Sequence, residues 1–299
     1  MAQEIGNQYS KDKVRDRSGF LAQSRLQQST FRANTLDVPY ETFGNYLVKE
    51  DAEKGLNFYK DTIKEVQNRF PEYDKPLYAN MLQSQSVAFN FFSAIKEDTE
   101  FGTKVLNEFL TTKIESIEKV EFAYTPSPSN RYLDDDTAFN VYIEYNDVLN
   151  KKCILGVTIN YTENGYKLKS GSKEALALKN KKSRYNLVTD NCGIFELETV
   201  KLLPADSYRQ LWKTQLLGER ILFKDAETFS RFTSLVISAE GNTTFNQTCK
   251  EYAPLLINSK DKFKQISFHN FIASCKTNST NEDTNEWISY LTNRYLVQG

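Results

Sequence analysis

Between Phe139 and Tyr161 the chain alternates twice between apolar and polar positions. In "FNVYIEY", Phe139, Val141, Ile143 and Tyr145 fall on one side, and Asn140, Tyr142 and Glu144 on the other. In "CILGVTINY", Cys153, Leu155, Val157, Ile159 and Tyr161 alternate with Ile154, Gly156, Thr158 and Asn160. A period of two is that of a β-strand. The polar "NDVLNKK" between the runs is short enough to make them antiparallel neighbours, so Asn140, Thr158 and Asn160 are expected to converge on one sheet face.

Upstream the period is that of a helix. Leu56, Tyr59, Ile63, Val66 and Phe70 recur at three and four residues, a pattern stopped by Pro71. "MLQSQSVAFNFFSAI" predicts a more buried helix with Phe89, Phe92 and Ile95 along one side. A third helix is predicted after "EDTEF", with Val105, Leu106, Phe109, Leu110, Ile114 and Ile117 as its stripe. "VEFAY" then predicts a short strand closed by the turn-rich "TPSPSN".

Downstream, "ADSYRQLWKTQLLGERIL" predicts a helix, "RFTSLVIS" a strand and "TFNQTCKEYAPLL" a helix. The polar "TNSTNEDTN" precedes a closing helix, "EWISYLTNRYL". Helices, three strands, helix, strand and helix in that order predict an α/β fold with an N-terminal helical extension. The expected organisation is a polar arm with some helix over 1–45 and one domain over 46–299. Within that domain a helical lead-in covers about 46–118 and the sheet core about 119–299.

Composition narrows the chemistry. Aromatic residues make up 13% of the chain, enough for a sizeable core despite a polar average. No apolar run of about 18 residues occurs, so no membrane helix is expected, and "MAQEIGNQYSKDKVRDRSGF" has no apolar signal-peptide core. Cys153, Cys192, Cys249 and Cys275 form no C-x-x-C pair. They read as reduced thiols of a cytoplasmic protein. With one histidine in the chain, a His-rich zinc site is excluded. Any nucleophile–histidine arrangement would rest on His269 in "QISFHNFIASCK", which reads as a structural or surface residue of a packed element.

The net charge of −1 does not announce a nucleic-acid binder. The charge is uneven, however. Lys167 to Arg184 holds seven basic residues against Glu174 alone, and reads as a solvated face or loop.

Several ordered stretches resemble the PD-(D/E)XK nuclease superfamily, the restriction-endonuclease-like fold, in a bacterial branch. "GLNFYKDTIKEVQNRF" and "MLQSQSVAFNFF" are similar to its helical lead-in, "VEFAYTPSP" to its first strand, and "QLWKTQLL" and "EWISYLTNRYL" to its later helices. "DDDTAFNVYIEY" resembles the strand that carries the family's Asp, and "LGVTINYTE" the strand that carries its Glu-x-Lys. The resemblance implies a mixed sheet flanked by helices, and a pocket bordered by the helix that carries Gln85. It also implies Mg²⁺ held by carboxylates, which activates water at a phosphodiester, with a Lys that offsets developing charge. Carried over by position, the Asp is Asn140, the Glu is Thr158 and the Lys is Asn160. All three chemical groups are absent.

Three readings follow. The first is a catalytically degenerate nuclease that binds DNA or another nucleic acid without cleaving it, with Lys167, Lys169, Lys179, Lys181, Lys182 and Arg184 on phosphates and no resident cofactor. The second is a regulatory protein–protein partner in a restriction or defence system. The third is a Mg²⁺-dependent DNA nuclease whose site is rebuilt on relocated groups such as Glu144 or Glu163. No membrane partner is expected in any of them.

Overall fold

A computed structural model describes residues 19–165 and 167–296, so the first eighteen residues of the expected N-terminal arm lie outside the described residues. The chain divides into two compact units, Met1–Asp98 with Phe268–Gly299, and Thr99–Ser267. The first unit contains helices α1 (Gly19–Phe31), α2 (Lys49–Glu53), α3 (Thr62–Arg69), α4 (Lys75–Ala79) and α5 (Ser84–Glu97). The second runs α6 (Thr99–Asn107), β1 (Ile114–Tyr124), β2 (Phe139–Asp147), β3 (Lys152–Asn160), α7 (Lys173–Lys179), α8 (Arg184–Cys192) and α9 (Arg209–Lys224). It continues through β4 (Arg231–Ser238), α10 (Thr243–Tyr252), α11 (Ser259–Lys262) and β5 (Phe263–Ser267). The chain then returns to the first unit with α12 (Phe268–Asn278) and α13 (Glu282–Tyr295). Among the described residues no helix is long and apolar enough to cross a membrane, and none of the four cysteines forms a disulfide.

In the first unit the helix expected from Leu56 to Phe70 is shortened to α3. Gly55 (φ 87°) and Lys60 (φ 41°) both adopt left-handed backbone, which ends any regular helix before Thr62. The C-terminal helix is held by a buried polar network. Arg294 is fully buried and donates to the Gln28 Oε1 (3.0 Å) and the Asn57 carbonyl (2.8 Å). Asn90 donates to the Asn57 carbonyl (3.1 Å) and the Tyr295 hydroxyl (2.8 Å), and its own carbonyl accepts from the Trp287 indole (2.7 Å). A buried guanidinium left without these acceptors would be strongly unfavourable. His269 lies exposed in the first turn of α12.

The second unit carries a five-stranded mixed α/β sheet in the order β1-β2-β3-β4-β5. The first three strands form an antiparallel meander, while β3–β4 and β4–β5 are parallel. The parallel pairs need long crossovers, which α7–α9 and α10–α11 supply. β1 begins six residues earlier than expected and takes Ile114 and Ile117 out of the predicted helix, which stops at Asn107. Its register against β2 shifts between Ile114 and Ser116 and again between Ile117 and Lys119. Each irregularity adds a residue, so the buried Ile114, Ile117 and Val120 recur every three positions and imitate a helical stripe. The fifth strand, Phe263–Ser267, has Phe263 and Ile266 buried at the same spacing of three. The basic run is not a loop throughout, since it forms α7 and the start of α8.

One helix–sheet contact sets the level of the site. Gly156 on β3 leaves room for the Phe139 and Phe232 rings, and Gly218 on α9 lies directly against the Phe232 ring. A Cβ at Gly218 would meet three ring atoms of Phe232 at 2.2–2.3 Å. Alanine for glycine inside a helix ordinarily stabilises by roughly 0.5–1 kcal/mol. Here overpacking reverses the sign, and Gly218→Ala is expected to destabilise by about 1–3 kcal/mol. Adding Phe232→Leu to that variant should recover part of the loss. Urea unfolding of the two single variants and the double variant checks this, and strict additivity would show that the two residues do not press on each other.

Candidate functional site

Asn140 and Thr158 come together at the open end of β2 and β3. The last backbone pair is Val141 with Val157. Beyond it the Asn140 side chain extends the ladder, and its Oδ1 accepts the Ile159 N–H at 2.8 Å. Asn140 and Thr158 line a cavity of about 290 Å³ with Thr137, Glu163, Gln210, Lys213 and Thr214. Thr158 is only 2% exposed, so a longer charged side chain there would have to displace neighbours. Asn160 does not line this cavity. Its Oδ1 accepts from the Asn242 Nδ2 at 2.9 Å, and Asn242 also donates to the Glu163 carbonyl (3.0 Å) while its Oδ1 caps α10 at the Phe245 N–H (3.3 Å). Asn160 is therefore tied to a helix start.

The carboxylates named as relocated groups are engaged locally. The Glu163 Oε2 accepts the backbone N–H of Tyr161 (3.2 Å) and of Thr162 (3.1 Å), at the rim of the cavity. Glu144 lies further along β2, opposite Ile154 and Lys119. It is ion-paired with Lys152 at 2.7 Å and accepts from the Tyr142 hydroxyl at 3.2 Å. Gln85 sits in the first turn of α5, in the other compact unit.

What sequence reasoning missed is the contribution of α9. Gln210, Lys213 and Thr214 form a polar stripe at spacings of three and four, on a helix face that continues as apolar with Leu217 and Ile221. That interruption of an apolar helix was the available signal. The Lys213 ammonium is 2.9 Å from both the Asp135 and the Glu174 carboxylate, with side-chain exposures of 12%, 17% and 15%. Asp135 also accepts from the Thr137 hydroxyl (2.7 Å) and from the Tyr185 hydroxyl. Burial raises the Asp135 carboxyl, but Lys213, Tyr185 and Thr137 outweigh it and hold the group below the ordinary range. Burial likewise lowers Lys213, and Asp135 and Glu174 reverse this into a net rise.

Lys213 also lines a second cleft of about 760 Å³, between Asp134–Asp136 and helices α7 and α8. Lys167, Lys169, Lys179, Lys181, Lys182 and Arg184 are all exposed, and Lys182 and Arg184 line the cleft itself. Helix α7 has no buried residue. Its polar tethers are the Glu174–Lys213 pair and the Lys173 ammonium on the Asp134 carbonyl (3.2 Å).

The Mg²⁺ that the resemblance implies can be tested against this donor set. Mg²⁺ takes hard oxygen donors in near-octahedral geometry and gives up its waters reluctantly. At the motif positions the cavity offers one carboxamide, whose oxygen already accepts a backbone N–H, and one buried hydroxyl. Glu163, the carboxylate that lines the cavity, accepts two backbone N–H groups through one oxygen, and the Asp135–Glu174 pair holds an ammonium. These residues do not fit the ion.

The Asp135 pairing has a pH signature. A depressed carboxyl contributes stability that is present above the unfolded-state value and lost as pH falls through the folded-state one. Wild type should therefore exceed Asp135→Asn in stability near neutral pH, and the gap should close below about pH 4. Urea titrations of both proteins from pH 6 to pH 2.5 measure it, and a gap independent of pH would contradict the assignment.

The model of the PD-(D/E)XK nuclease superfamily matches residues 12–297. Comparisons with curated proteins and with solved structures match nothing. The mixed five-stranded sheet flanked by helices agrees with that match. With nearly its whole length covered, the chain belongs to the PD-(D/E)XK nuclease superfamily.

Proposed function

We propose that this protein is a catalytically degenerate member of its superfamily that binds nucleic acid without cleaving it. The observation that carries the reading is the state of the motif positions. Asn140 and Asn160 are neutral and have their side-chain oxygens engaged by Ile159 and Asn242, and Thr158 is buried between them. Loss of two carboxylates removes both the attraction for a divalent ion and a repulsion toward a phosphate backbone. The exposed cations from Lys167 to Arg184 supply a surface for that backbone, and among the described residues none of the six is paired with a carboxylate.

The alternative of a regulatory protein partner draws on exposed apolar side chains in the same crossover. Leu176 is 61% exposed, Leu197 89% and Phe223 71%. Solvated residues of this kind occur singly on many surfaces, so the nucleic-acid reading is preferred.

Two measurements test it. Binding of duplex DNA should weaken steeply with salt, and Lys179→Ala, Lys181→Ala, Lys182→Ala and Arg184→Ala together should lower the slope of log K against log salt by about 3–4. Absence of salt-dependent binding would leave the protein-partner reading. In a plasmid time course with Mg²⁺ or Mn²⁺ the wild type should not nick. Asn140→Asp, Thr158→Glu and Asn160→Lys together should make the melting temperature rise with Mg²⁺, whereas the wild type should not respond. Robust nicking by the wild type would place catalytic groups elsewhere.

A further inference from the structure

We infer that the Lys213 ammonium is a built-in cation that occupies the carboxylate pair beside the motif cavity and closes it to divalent ions. The inference rests on the reading of that cavity as metal-free, and deepens it by naming what excludes the ion.

Asp135 and Glu174 come from separate segments, the loop before β2 and the helix α7. Their oxygens meet at one nitrogen, each 2.9 Å away. Two largely buried carboxylates facing one point repel each other, and the point between them requires a positive charge. A small divalent ion that keeps several waters is commonly held by one or two carboxylates. Here a side chain from α9 fills the same role without dissociating. Tyr185 and Thr137 fix Asp135 in place, so that carboxylate is preorganised whether or not the lysine is present. Among the described residues no group of three or more His, Cys, Asp or Glu side chains is arranged to hold a metal. An ion entering here would therefore have to displace an intramolecular ammonium, with only two carboxylates to repay the loss of its waters. The charge count also changes the cavity. With Lys213 the trio carries one net negative charge, and without it two.

The position has a structural consequence as well. Glu174 docks a helix with no fully buried residue, whose apolar contacts to the core are the half-buried Ala177 and Leu178, so the ammonium fixes the charge beside the cavity and helps to seat α7. A divalent ion could do both. Replacing Lys213 by a neutral side chain of similar length should therefore create an ion site.

The experiment compares the wild type, Lys213→Met, and Lys213→Met combined with Asp135→Asn and Glu174→Gln. Melts and Mn²⁺ electron paramagnetic resonance titrations are run on each, with Mn²⁺ as the probe. Lys213→Met should melt lower than the wild type in chelator. At Mn²⁺ ten times its dissociation constant it should gain roughly 3 °C and bind one more ion than the wild type. The triple variant should lose both effects. If Lys213→Met is not recovered folded in chelator, refolding with Mn²⁺ should recover it, and failure in both conditions overturns the inference. So does a folded Lys213→Met that gains no ion. A wild type that already binds Mn²⁺ at Asp135 and Glu174 would overturn the inference. A wild type that binds Mn²⁺ and loses it on Glu163→Ala, while Lys213→Met still gains its own ion, would instead remove the metal-free reading of the cavity.

Discussion

The close approach of α9 to the sheet is the constraint on which the site depends. It requires that no Cβ stand at Gly218 or Gly156, because the Phe232 and Phe139 rings fill that space. With the helix seated there, the Gln210–Lys213–Thr214 stripe looks onto the open end of β2 and β3. The same seating delivers Lys213 to Asp135 and Glu174. A shift of the helix by a fraction of a turn would present Leu211 or Trp212 to the cavity instead. Protein interiors are packed too densely for such a shift to be absorbed gradually.

The polar side chains at the ends of β2 and β3 are engaged by hydrogen bonds of the fold itself. Asn140 completes a strand ladder and Asn160 joins the cap of α10. Each such bond is worth about as much as an ordinary buried hydrogen bond, about 1 kcal/mol. The remaining charges are balanced close by, with Asp135 and Glu174 on Lys213 and Glu144 on Lys152.

The crossover between β3 and β4 carries the features that distinguish the outer face. It contains the exposed cations, a helix with no buried residue, and the rim of the larger cleft. That helix is held by the Glu174–Lys213 ion pair together with the half-buried Ala177 and Leu178, which pack against the core.

By itself the sequence identified β2 and β3 as antiparallel neighbours, because alternation over seven and nine residues across a short polar turn is the period of paired strands. It also identified Asn140 and Thr158 as the positions that share a cavity, since antiparallel pairing across a short turn fixes which residues face each other. Tertiary structure decided the rest. The irregular register of β1 gave Ile114, Ile117 and Val120 a spacing that local pattern assigns to a helix, and only pairing with β2 resolves it. The five residues of β5 are too few, and too evenly split between buried and half-buried, to declare a strand without β4 beside them. Asn160 shares a strand face with Thr158, yet Asn242, 82 residues away, claims its side chain. Lys213 is one of many lysines until Asp135 and Glu174, 78 and 39 residues distant in sequence, converge on it. Periodicity records which face a residue occupies, whereas the partner that neutralises or engages it is set by packing between segments remote along the chain.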